Sequence, residues 1–96
     1  MGKLMPLIDV IRNLESFDED GAICAAKPWT EKSQAIVVVD LGARGLPAEA
    51  QKLGLEYLLD VFIARNFLED WCAGLDMEPT IQEKCARIIK YAITDA

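Results

Sequence analysis

The hydrophobic positions change period along the chain. Leu7, Val10, Ile11 and Leu14 recur at i, i+3, i+4 and i+7, the spacing that puts side chains on one face of a helix. Pro6 stands just before them, where its missing N–H costs nothing in a first helical turn. The pattern predicts a short amphipathic helix ending near Ser16. The acidic stretch Ser16 to Gly21 then reads as a turn, closed by Asp20-Gly21. Ala22 to Ala26 and Ala35 to Asp40 read as strands. The second is apolar and largely β-branched, as in a strand covered on both faces. The polar segment Lys27 to Gln34 makes the two a β-hairpin with Trp29 near its tip. A two-stranded sheet is marginal by itself, so the hairpin needs helices on it, a third strand near Leu14 to Phe17, or a second chain at its edge.

The stretch Leu55 to Ala73, free of proline and glycine, reads as one long central helix of about five turns. On a helical wheel Leu55, Leu59, Phe62 and Ile63 fall on one side, and Tyr57, Val61, Ala64, Leu68 and Trp71 on the other. A helix apolar on two sides is buried between layers or between subunits. Tyr57, Val61, Ala64, Leu68 and Trp71 are therefore the expected dimer or ligand surface. After Gly74 to Pro79, Thr80-x-x-Glu83 is a capping box. Ile81, Cys85, Ile88, Ile89, Ala92 and Ile93 then share one arc, with Lys84, Arg87 and Lys90 on the outer arc. The expected architecture is α+β: a short N-terminal helix, a β-hairpin, then a C-terminal helical layer built on the long central helix.

Composition narrows what this architecture does. Ninety-six residues make a single domain. The hydrophobic share of 52% is high for so small a monomer, which points to a homodimer. A net charge of −6 offers no basic face to shed counterions from a phosphate backbone, so nucleic acid is not the expected partner. A basic protein or a cationic small molecule is. Cys24, Cys72 and Cys85 are widely spaced, and the chain has no histidine, which argues against a disulfide framework or a zinc site. Reduced cysteines in apolar runs suit a cytoplasmic protein. The start of the chain has early charge and no long apolar core, so no secretory leader is expected. No run is long and apolar enough for a membrane span.

The chemistry available is limited. Without histidine, a cysteine or serine nucleophile lacks its commonest base. Leu41 to Leu46 holds glycines only as GxxG, without a following Lys-Ser or Lys-Thr. It reads as a tight connection rather than a phosphate cradle, although Arg44 would serve an anion there. Glu56 and Asp60, one helical turn apart on the predicted helix, form a carboxylate pair suited to clamping a basic partner. Glu69 and Asp70, beside Trp71 and Cys72, form a second acidic cluster. Trp29 in its polar loop is a candidate anchor, because aromatics dominate interface energetics. The first reading of this residue, however, is a lid folded back on the sheet.

The segments LDVFIARNFLEDW and EPTIQEKCARIIKYAITDA resemble small bacterial domains of the kind found as mobile gene cassettes or beside toxin genes. The resemblance spans about residues 55–96, rests on helical core patterns and carries over no functional residue. It implies an accessory binding protein such as an immunity protein. The reading reached is a non-catalytic acidic interaction module that needs no cofactor or metal. It acts as a homodimer and binds through Glu56, Asp60, Glu69, Asp70 and Trp29. The alternative is a small-molecule binder with an apolar pocket beside the long helix and acids at its mouth.

Overall fold

The structure, a computed structural model, describes residues 4–39 and 51–94. The Gly42–Gly45 loop with Arg44 lies outside the described residues. The strands are β1 (Met5–Pro6), β2 (Gly21–Ala26), β3 (Gln34–Val39) and β4 (Leu55–Asp60), and the helices are α1 (Leu7–Arg12), α2 (Val61–Ala73) and α3 (Ile81–Thr94). The strands form one antiparallel sheet in the order β1-β3-β2-β4. The class is α+β as expected, with helices of the C-terminal part laid on the sheet.

The central strand β2, GAICAA, is made of small residues apart from Ile23 and is almost wholly buried. Its hairpin partner β3 pairs Ile23 with Val37 and Ala25 with Ala35. These four residues face the helices and join the main core. At Gly21 there is no room for a side chain: a Cβ would lie 2.7 Å from Val37 Cγ1. The other sheet face buries Cys24, Ile36, Val38 and Leu55 as a separate cluster.

The long central helix is corrected. Leu55 to Asp60 is a strand, and the helix begins at Val61. The reason lies in the β2–β4 register. Tyr57 pairs with Cys24 and Leu59 with Ile23, so Leu58 is an extra residue at a β-bulge. Leu55 packs in the second cluster, whereas Leu58 and Leu59 both join the helix-side core. The bulge breaks the period-two alternation by which a strand is recognised. The surviving Leu55/Leu59 spacing imitates a helical turn. No strand forms near Leu14 to Phe17; Leu14–Ser16 is a 3-10 helix, and the additional strands are β1 and β4.

Each helix buries a single stripe. In α1 it is Leu7, Val10 and Ile11, continued by Leu14; in α2 it is Val61, Ala64 and Leu68; in α3 it is Cys85, Ile88 and Ala92. The first N–H groups of α1 would be orphaned, but Leu7 N–H donates to Ser33 O at 2.7 Å and Ile8 N–H to Glu31 O at 2.9 Å. The hairpin loop is thereby tied to α1. Between α2 and α3, the Phe67 and Tyr91 rings stack at 4.4 Å and the Arg87 guanidinium lies 5.6 Å from the Phe67 ring. Arg87 thus turns into the α2–α3 seam rather than onto the outer arc expected of it.

Two polar devices set the helix ends. Arg65 on α2 reaches the 3-10 helix and adds donors to carbonyls at its end, where helical partners run out. Its Nε and Nη2 donate to Leu14 O at 3.1 and 3.0 Å, and Nη2 donates also to Glu15 O at 3.0 Å and to Phe17 O. The capping box of α3 forms as predicted: Thr80 N–H donates to Glu83 Oε1 at 2.9 Å, and Glu83 N–H to Thr80 Oγ1 at 3.1 Å.

Replacing Arg65 by leucine should cost about 2–4 kcal/mol in urea unfolding, because several carbonyls lose a charged donor together. Arg65→Lys should recover only part, since an ammonium lacks the planar fork. Full stability in Arg65→Leu would remove the clamp from this account. The capping hydrogen bonds from Thr80 hold the Glu83 carboxyl below the usual glutamate range. A depressed carboxylate stabilises the fold above its unfolded pKa and loses that contribution as pH falls through the lower, folded value. Between pH 6 and pH 3 the melting temperature should therefore fall further in the wild type than in Glu83→Gln. Parallel curves would rule this out.

Candidate interaction surface

The structure separates the residues that the sequence groups. Glu56 pairs with Ala25 and Asp60 with Ala22 in the β2–β4 ladder. Ala25 faces the helices and Ala22 the opposite way, because side chains alternate along a strand. The Glu56–Asp60 clamp is therefore corrected: these carboxylates point to opposite faces of β4. Glu56 Oε1 lies 4.0 Å from Lys27 Nζ across the strand ends. Asp60 lies beside Tyr57, whose phenol pKa is raised first by partial burial, then by the Asp60 charge and a hydrogen bond to it.

The expected dimer or ligand surface is also corrected. Val61, Ala64 and Leu68 are core residues of the single chain, with at most 9% exposure. Helix α2 has one apolar stripe, spent on β2, β4 and the 3-10 helix. Trp71 is half-buried against the same core, and of the five only Tyr57 stays largely open, at 44%. Trp29 folds back and packs against the main core, its Nε1–H donating to Ala25 O at 2.9 Å. One edge of its ring remains at the surface.

Glu69 and Asp70 stand next to each other on α2. Both are exposed on α2 and have no ion-pair partner among the described residues. The connection to α3 adds Asp76 and Glu78, and the first turn of α3 adds Glu83. In the same connection Leu75 and Met77 are exposed, Met77 at 81%. Sequence reading passed over these two as linker residues. The available signal was the presence of large apolar side chains, interleaved with acids, in a connection that has no core to fill.

Beside this segment is a cleft of about 320 Å³. Buried Ile11, Leu14 and Leu68 form its floor, and exposed Glu15, Glu69 and Glu78 stand at its lip. The cations there already have partners. Arg12 pairs with Asp9, Arg65 holds backbone carbonyls, and Lys84 Nζ donates to Glu78 Oε1 at 2.9 Å. That hydrogen bond is the main reason the Lys84 pKa is raised. Among the described residues no group of three or more Cys, Asp or Glu could hold a metal ion, and no helix is long and apolar enough to cross a membrane.

The cysteines differ in access. Cys24 and Cys85 are buried, and burial pushes both thiols up to about 11. The charge of Glu31 adds to this at Cys85. Cys72 lines the cleft and is partly open. A thiol reagent at pH 8 should label one cysteine per folded chain, Cys72, and three in denaturant, since only an accessible thiolate reacts. Rapid native labelling of Cys24 or Cys85 would contradict the core described above.

No model of a known family, no curated protein and no solved structure matches this chain, so the functional reading rests on the chemistry of its own surface.

Proposed function

We propose that this protein is a non-catalytic acidic interaction module, of the accessory or immunity kind, that docks a basic partner on the α2–α3 end. The observation that carries this reading is the exposed pair Leu75 and Met77 set among Glu69, Asp70, Asp76 and Glu78. Large apolar side chains held in water mark binding surfaces when they come with a polar rim, and methionine adapts to irregular partner shapes. The surrounding carboxylates supply charge attraction and speed encounter with a cationic partner. The homodimer reading retains only Tyr57 and Trp71 of its expected surface. The binding unit proposed is therefore the single chain.

A small-molecule reading is favoured by the cleft alone, where an apolar floor and three lip carboxylates suit a compact organic cation. The two readings separate on Met77, which does not line the cleft. A lysine-rich amphipathic peptide containing leucine serves as the probe, with calorimetry at low and high salt. Glu69→Lys with Asp70→Lys should weaken binding by about tenfold or more, and Met77→Ser by a similar factor, as hot-spot losses of a kcal/mol or more imply. Raised salt should weaken the wild type further. Unchanged affinity in both variants would overturn the proposal. Loss in the charge variant with none in Met77→Ser would favour the small-cation reading.

A further inference from the structure

On the opposite flank of α3, the hairpin loop and the last turns of the helix border an open hollow of about 430 Å³, lined by Lys27, Pro28, Trp29, Ala92 and Ile93. Its size is in the range of small-ligand sites. The walls are apolar. Ile93, expected on the apolar arc of α3, is instead 66% exposed on its last turn, at the flank of the buried stripe next to Ala92. The Trp29 ring is fixed by its hydrogen bond to Ala25 O, and Pro28 restricts the backbone beside it. The hollow therefore has one rigid aromatic wall and one aliphatic wall.

Its single charged group is Lys27. The ammonium lies 4.8 Å from the Trp29 ring centroid and 4.0 Å from Glu56 Oε1. The second distance is too long for a hydrogen bond. Both side chains of that pair are more than half exposed, so the pair is weak. None of the three ammonium donors has a hydrogen-bond acceptor among the described residues. Lysine presents a compact point charge on a flexible stem and can turn toward a ligand in the hollow.

We propose that this hollow binds a small amphipathic organic anion, an aromatic or short acyl carboxylate. Its apolar body lies between Trp29 and Ile93, and its carboxylate accepts from Lys27 Nζ. The sign follows from the local charges. An organic cation would have to displace the Lys27 ammonium from the aromatic face it occupies. Of the unpaired acids of α2, Glu69 lines the other cleft, and neither Glu69 nor Asp70 lines this hollow. A charge-assisted hydrogen bond in a hollow with apolar walls gives the anion an advantage that an uncharged analogue lacks.

Three probes with one apolar body test this: 4-phenylbutyrate, its amide and 4-phenylbutylamine, each titrated into the 15N-labelled chain. The readout is the two tryptophan indole resonances. The carboxylate should shift the Trp29 indole and bind about tenfold tighter than either analogue. Lys27→Gln should bring its affinity down to that of the amide, and Ile93→Asp should abolish binding. Both substituted residues are exposed, and unchanged circular dichroism confirms that the variants are folded. Stronger binding of the amine, unchanged affinity in Lys27→Gln, or shifts confined to the Trp71 indole would each overturn the proposal, as would no shift with any probe.

Discussion

The pairing of β4 with β2 is the constraint on which the rest depends. Strand β2 is buried on both faces, and its backbone groups have no access to water. Without β4 on its far side, a row of donors and acceptors would be left unsatisfied, at about 1–3 kcal/mol for each buried group. The sequence LEYLLD has a modest preference for helix, worth no more than about 0.7 kcal/mol per residue. Several ladder bonds outweigh that preference, so the segment becomes a strand. The ladder also decides where α2 starts. Its first residue, Val61, directly follows the last paired residue, Asp60, and the turn into helix brings Val61, Ala64 and Leu68 down onto the sheet.

That single boundary redistributes the functional residues. Read as one helix, Leu55 to Ala73 carries a two-carboxylate face and a spare apolar face. Divided into strand and helix, it carries neither. Glu56 goes to the Lys27 end of the sheet and Asp60 to the end where Gly21 pairs with Val39. The spare apolar face becomes core. What remains outside the core is set by helix ends and loops: Leu75 and Met77 in one connection, Trp29 and Lys27 in another. Surfaces that recognise partners commonly lie in such connections, because a rigid scaffold positions them while their sequences stay unconstrained by packing.

Legibility in the sequence follows the same division. Elements with a regular period and a local terminator were readable: α1 from Leu7, Val10, Ile11 and Leu14, the hairpin from Ala22–Ala26 and Ala35–Asp40, and α3 from Thr80-x-x-Glu83 and its apolar arc. Strand β4 was not readable, because its identity depends on a partner far away in the chain and its bulge at Leu58 erases the alternation. The role of Arg65 was not readable, since a contact with carbonyls some fifty positions earlier leaves no local mark. Of the candidate site residues, Glu69 and Asp70 kept their exposed positions. Trp29 proved to be both lid and surface.

The overall charge of the chain is a poor guide to either proposed site. At physiological ionic strength charges are screened over about 8 Å, a few side chains' reach. A ligand in the Trp29 hollow therefore responds to Lys27, with Glu56 beside its ammonium and Glu31 on the adjoining side of Trp29, far more than to a net −6. A partner on the α2–α3 end meets Glu69, Asp70, Asp76 and Glu78, with Lys84 already bonded to Glu78. One chain can hence present an acidic docking end and a local anion-accepting hollow. The folding constraint that separates Glu56 from Asp60 also keeps the acids from converging on Lys27.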